Sequence, residues 1–319
     1  MSQSPKNSTQ RTFILGDSWL YYKLYTGHKT ADHVITDCLF PLAEKLRSQG
    51  LIEKWFFIRY HDDAGAHLRF RMEMLKPEED LAAVIMAAKE AFNPLINIGW
   101  IWKIQTDTYQ RELERYGLRG ISISEELFFQ NSHLTARLIG LLNADSDEIT
   151  RWLFCLPAID QLFNSFEPRL ENKHALMEII SKNFAAEFGM NASLRSQLDE
   201  KYEREKSNIA AAMTGQKLDA PVLIRLQPCL QLLQGYQDAN NAIAQNLLEL
   251  RKSEPEADSL NNLIASHIHM LVNRLFKSKQ RVHEMVIYDF LTRYYKSLLP
   301  PPEKHTRVVK AEAEKLLIE

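Results

Sequence analysis

Long apolar runs, paired cysteines and a strong net charge are all missing from this 319-residue chain. No stretch approaches the ~20 apolar residues that span a bilayer, so no membrane span is expected. The first ten residues are rich in Ser, Gln and Asn and lack an apolar core, which excludes a signal peptide and predicts a floppy start. The three cysteines, Cys38, Cys155 and Cys229, lie far apart in apolar or helical contexts. Such sparse usage excludes a disulfide framework and fits reduced, buried thiols in a cytoplasmic protein. A net charge of −2 provides no overall positive field for nucleic acid, although a local basic pocket stays open. The sequence also has no Gly-rich phosphate loop, no His-Glu-x-x-His, no Cys-x-x-Cys and no Gly-x-Ser-x-Gly.

What is present begins with an aromatic run, Trp55 to Tyr60, and an alternating run, His67-Leu68-Arg69-Phe70-Arg71. A polar turn, His61 to Ala66, lies between them and includes Gly65, so the pair reads as a β-hairpin. Residues two apart on a strand share a face. His67, Arg69 and Arg71 therefore line one side while Leu68, Phe70 and Met72 pack on the other. Two guanidinium groups on one short strand face repel each other, and an anion between them relieves this. A solvent-facing basic edge strand is the other reading of the same pattern.

Around this hairpin, Trp19–Tyr25 reads as a strand. Thr30–Gln49 reads as a helix stopped by Gly50, Pro77–Phe92 as a second helix, and Ile98–Thr106 as another strand. The fold class is thus α+β: a small, mostly antiparallel sheet with helices in the N-terminal third, followed by a mainly helical bundle. The expected helices cover roughly 123–143, 146–165, 172–188, 191–214, 221–251 and 257–298, with a polar break at Lys252–Asp258. One domain over 13–299 is expected, with its α+β part at 13–120 and its helical part at 121–299. A disordered start (1–12) precedes it, and a tail after Pro300 carries a loose helical stripe.

Two further segments carry chemistry-bearing side chains. In Tyr109-Gln110-Arg111-Glu112-Leu113-Glu114-Arg115-Tyr116-Gly117, a helical turn makes Glu112 and Arg115 neighbours. Taken alone that is a surface ion pair worth ~0.3–0.5 kcal/mol. In Ser266 to Arg274, His267 and His269 fall on nearly opposite helix faces and are poorly placed to chelate one metal. His269 and Asn273 share a face, as do Met270 and Arg274. His61-Asp62-Asp63 reads as a solvated turn and His283-Glu284 as an intra-helix polar pair.

Taken in order, four segments resemble a known family: Trp19–Tyr25, Trp55–Arg71, Tyr109–Gly117 and His269-Met270-x-x-Asn273-Arg274. The family is that of the C-terminal, glutamate-elimination domain of class I lanthipeptide dehydratases, also called the thiopeptide-type bacteriocin biosynthesis domain. The resemblance spans roughly residues 16 to 298. It implies a lyase, a peptide glutamate lyase, that removes glutamate from glutamylated Ser or Thr of a precursor peptide and leaves dehydroalanine or dehydrobutyrine. It also implies a stand-alone protein whose partners are a precursor peptide with its leader and a separate tRNA-dependent glutamylation protein. A homodimer is left open, and no metal or organic cofactor is implied. Carried over motif by motif, Arg69 and Arg71 hold the departing glutamate and the enolate. Arg115 takes the glutamyl carboxylate, Glu112 orients a guanidinium, and His269 transfers the proton. Arg59, His67, Tyr116, Asn273 and Arg274 are candidate substrate-binding residues. One branch of the family resembles [4+2] cycloaddition macrocyclases, and a non-catalytic peptide-presenting partner is a third reading.

Overall fold

The computed structural model describes residues 9–142, 148–216, 219–253 and 259–300. Of the start expected to be disordered, residues 1–8, together with Glu254 to Asp258 of the expected break and the tail beyond Pro300, lie outside them. A four-stranded antiparallel sheet, ordered β3-β4-β2-β5, is built from β2 (Trp19–Tyr25), β3 (Ile52–Asp62), β4 (Gly65–Met74) and β5 (Lys103–Thr106). A separate short pair joins β1 (Thr12–Phe13) to β6 (Tyr109–Gln110). The all-helical region follows: α5 (Gly120–Leu141), α6 (Glu148–Phe166), α7 (Leu170–Glu187), α8 (Ala192–Thr214), α9 (Pro221–Gln234), α10 (Gln237–Lys252), α11 (Leu260–Leu275) and α12 (Gln280–Leu298). The α+β expectation holds. Among the described residues no helix is long and apolar enough to cross a membrane.

The hairpin is longer and tighter than its sequence suggests. Pairing runs through His61↔Ala66 and Asp62↔Gly65, so the turn is Asp63-Ala64 alone and not His61–Ala66. The Asp62 carboxylate accepts the Ala64 amide at 3.0 Å, and Gly65 adopts φ +118°. A side-chain cap and a glycine at positive φ let a two-residue loop close the ladder.

Alternation along these strands divides two cores. Leu20, Tyr22, Leu24, Trp55, Phe57, Leu68, Phe70 and Met72 pack with α1 (Ala31–Val34), α2 (Phe40–Ser48) and α3 (Pro77–Asn97). Trp19, Tyr21 and Phe56 face the helical array instead. Helix α5 serves both cores, placing Phe129, Ala136 and Ile139 in the first and Ile121, Leu127 and Phe128 in the second.

Several boundaries differ from the sequence expectation for identifiable reasons. The helix expected over Thr30–Gln49 contains a π-helical segment, Ile35–Leu39. Pro41 follows after Phe40, in the first turn of α2; it has no N–H to offer and its ring crowds the preceding carbonyls, and the wider turn absorbs both. Helix α3 runs to Asn97, past the expected Phe92, so the strand expected from Ile98 begins only at Lys103. Gly99 at φ +75° closes α3 in a Schellman arrangement, with Gly99 N–H donating to Ile96 O at 3.0 Å and Trp100 N–H to Leu95 O at 2.9 Å. The single helix expected over 221–251 is two, parted at Gly235-Tyr236. That expected over 257–298 is also two, parted at Phe276–Lys279, where Lys279 takes a left-handed φ of 53° without any proline or glycine nearby.

Candidate active site

Arg69 and Arg71 stand on the β4 face that looks toward the helices, and Arg274 reaches them from α11. With Phe56, Ile58, Tyr109, Glu112, Tyr116, Phe128 and Met270 they line a cavity of about 110 Å³. The strand period of two puts both arginines on one face. The helix period puts Met270 and Arg274 on one stripe, and α4 (Leu113–Tyr116) supplies Tyr116.

Among the described residues these three cations lack counter-ions. Among the described residues no carboxylate forms a salt bridge with Arg69, Arg71 or Arg274, and each has a buried N–H without a partner: Arg69 Nε, Arg71 Nε and Arg274 Nη2. Aromatic faces flank all three, with Arg274 5.4 Å from the Phe128 ring. The Arg69 guanidinium lies 3.4 Å above the Tyr60 ring, and Arg71 lies 4.3 Å from Tyr21 and 4.7 Å from Tyr109. Burial pushes Arg71 below the usual guanidinium value. Arg274, fully buried, is pushed down to about 9 by burial, with Arg71 nearby acting in the same direction. Burial also raises Tyr116 to about 12, which keeps its hydroxyl protonated. An anion entering this cavity meets positive charge in a water-poor setting, where charge–charge attraction is strong.

The remaining expected residues separate into rim and support. Arg115 pairs with Glu112 at 3.1 Å, as the helical turn predicts, and both side chains are largely exposed. Glu112 lines the cavity and Arg115 does not. His67 is buried between the rings of Tyr25 and Tyr60, with Nδ1 3.1 Å from Gly65 O, so it backs the Tyr60–Arg69 stack without lining the cavity. Arg59 bonds Asp32 at 2.5 Å and Arg274 O at 2.9 Å. Asn273 accepts the Arg59 amide and donates to the Arg59 carbonyl, both at 2.9 Å. Arg274 Nε bonds Phe57 O at 2.8 Å and Ser132 Oγ at 2.9 Å, and Ser132 accepts the Phe57 amide at 3.2 Å. These contacts satisfy the outward backbone groups of the edge strand β3.

The two histidines of α11 are distinguished by their surroundings. His267 is fully buried beside Phe166, Tyr116 and Phe128, and burial lowers it to about 3. His269 keeps a third of its side chain exposed and points Nδ1 at Glu284 of α12, 2.6 Å away. It stands next to Met270 in sequence but is not itself in the cavity wall. Sequence reasoning passed over Tyr109, although it lies inside a quoted motif. Its hydroxyl donates to Glu125 at 2.7 Å, and the buried Glu125 also takes Arg111 Nε at 2.7 Å. Among the described residues no three His, Cys, Asp or Glu side chains are grouped so as to hold a metal ion.

The same architecture occurs in known proteins. The tRNA-dependent lantibiotic dehydratase MibB from Microbispora sp. 107891 superposes with a TM-score of 0.66 at 20% identity, covering 92% of this chain and 28% of that one. The pyridine synthase TbtD from thiomuracin biosynthesis superposes at 0.53 and 12% identity, covering 88% of this chain and 99% of that one. In sequence, the chain is 21% identical over 276 residues to the subtilin biosynthesis protein SpaB of Bacillus subtilis, covering 85% of this chain and 25% of SpaB. It is 24% identical over 287 residues to the epidermin biosynthesis protein EpiB of Staphylococcus epidermidis, covering 90% of this chain and 27% of EpiB. The chain thus spans about a quarter of the length of these curated relatives. Residues 19–295 match the family described as lantibiotic biosynthesis dehydratase C-term, and the chain belongs to that family.

Proposed function

We propose that the chain is a lyase that eliminates glutamate from glutamylated Ser or Thr of a ribosomal precursor peptide, leaving dehydroalanine or dehydrobutyrine. The observation that carries this reading is the cavity with three buried guanidinium N–H groups unpaired among the described residues, set in a fold of the dehydratase C-terminal family. β-Elimination removes the α-proton, forms the Cα–Cβ double bond and breaks the Cβ–O bond, so that glutamate leaves as a carboxylate. Negative charge develops on the peptide carbonyl oxygen and on the leaving group. Fixed cations that need no reorganisation are suited to both.

In this reading Arg69, Arg71 and Arg274 receive the leaving carboxylate and the enolate, and the Arg115–Glu112 pair at the rim engages the rest of the glutamyl group. Arginine stays protonated and cannot be the base. His269, neighbour of cavity-lining Met270 and partly open to solvent, exchanges the proton with peptide seated over the cavity. A precursor peptide and a glutamylation partner follow from this reading.

Incubation with a glutamylated Ser peptide should give a product lighter by one glutamic acid in mass spectrometry. Arg69→Ala, Arg71→Ala and Arg115→Ala should each leave glutamylated peptide, with rates down by ~10²–10³. Wild-type rates in all three would remove the assignment. The fold shared with the pyridine synthase TbtD supports a second reading, [4+2] cycloaddition. Conversion of a peptide that already contains dehydroalanines, with loss of its leader, would establish it. Binding without any change of peptide mass would point to a presenting partner instead.

A further inference from the structure

Glu284 sits near the start of α12, essentially fully buried, and three donors converge on its carboxylate. His269 Nδ1 lies 2.6 Å from Oε1, the Tyr288 hydroxyl donates to the same oxygen at 2.8 Å, and Arg281 Nη1 donates to Oε2 at 3.2 Å. An ionised carboxylate only accepts hydrogen bonds, so the imidazole must place its proton on Nδ1. Nε2 is then the atom with a lone pair. Arg281 is itself tied to Glu187 of α7, and its guanidinium lies 4.0 Å from the Phe184 ring. The carboxylate is therefore fixed from behind by groups of its own helix and of α7, while the imidazole edge away from it remains the accessible part of His269.

We propose that Glu284 is a positioning residue for His269. It sets the tautomer and ring orientation that leave Nε2 free to take the peptide α-proton, and its negative charge stabilises the imidazolium that this transfer creates. Tyr288 and Arg281 keep the carboxylate from rotating away. The inference rests on the reading of His269 as the proton-transfer group. A buried glutamate that merely joined two helices would be served as well by any donor. The distinguishing feature is that the partner is a partly exposed ring whose second nitrogen has no partner among the described residues.

The test joins a spectroscopic and a kinetic measurement on the full chain. In ¹⁵N NMR, with the His269 signals assigned by their loss in His269→Asn, the neutral ring should show the Nδ1–H form in the wild type. Glu284→Gln can present an amide donor to the ring and should move the population toward Nε2–H. Its kcat for elimination from a glutamylated Ser peptide should fall by ~10² or more, with KM little changed. Tyr288→Phe disturbs the same helix contact without touching Nδ1, and should retain the Nδ1–H form and cost about five-fold at most. Equal losses in Tyr288→Phe and Glu284→Gln, or an active wild type whose Glu284→Gln variant keeps both tautomer and kcat, would overturn the positioning role alone. A wild-type chain that leaves the peptide intact would instead overturn the lyase reading, and the positioning role with it, whatever tautomer the ring shows.

Discussion

Arg71 and Arg274 share a cavity, yet removing them should have opposite effects on stability. The Arg71 side chain makes no hydrogen bond to protein among the described residues and is held by aromatic faces in a site whose burial lowers its pKa. Replacing such an uncompensated buried cation by an apolar side chain of similar volume is neutral or favourable. Arg71→Met should therefore unfold at equal or higher urea concentration, by up to ~1–2 kcal/mol, while abolishing elimination. Arg274 holds Phe57 O, Ser132 Oγ and Met270 O. Arg274→Met strands those acceptors and should lose ~2–4 kcal/mol in the same measurement. Equal losses in the two variants would contradict this division. The shared face of Arg69 and Arg71 was legible from strand alternation alone. That Arg274 commits its guanidinium to Phe57 O and Ser132 Oγ was not, because those two acceptors lie more than 140 residues away and leave no trace in local sequence.

At the level of elements, the edge of β3 is the informative case. An edge strand exposes alternate N–H and C=O groups, and here Ser132 of α5 together with Asn273 and Arg274 of α11 satisfy those of Phe57 and Arg59. Asn273→Ala should cost ~2–3 kcal/mol by leaving two backbone groups unpaired. In hydrogen exchange the Arg59 amide should lose protection while the Phe70 amide in the sheet interior keeps it. Unchanged exchange at Arg59 would show that water or a neighbour replaces the asparagine. Element type was readable where periodicity ran long, as in α5 and α8. Boundaries were readable at Gly50 and Gly189, but Gly235 was read through as helix interior and Gly99 was misjudged because Trp100 and Ile101 after it resemble a strand. The α11–α12 break escaped notice, since Phe276-Lys277-Ser278-Lys279 contains no proline or glycine to mark it. With it went the view of Glu284 as the partner of His269, 15 residues away across that bend.

For the whole molecule, one buried carboxylate links the sheet layer to the helical array. Asp32 bonds Arg59 of β3 and Arg151 of α6, at 2.5 and 2.6 Å, and Lys277 stands 3.6 Å away in the α11–α12 connection. Burial alone would raise its pKa, but Arg59, Arg151 and Lys277 outweigh it and the net shift is downward. A depressed folded-state pKa means that its contribution is complete above the unfolded value of about 4 and is lost as pH falls through the folded one. Asp32→Asn should therefore cost ~3 kcal/mol at pH 7, with the gap to wild type narrowing below about pH 4 in urea titrations. A gap independent of pH would mean that the carboxylate contributes shape and not charge. Nothing in the sequence near Asp32 announces this link, because its partners come from three distant segments.

The four-residue joint Phe276–Lys279 also sets a phase. A helix turns about 100° per residue, so one residue inserted in the first turn of α12, just past the joint and ahead of Glu284, would carry Glu284 about that angle around the helix. The carboxylate behind His269 would then face another way, with every side chain at the joint still in place. Length here is accordingly more constrained than composition.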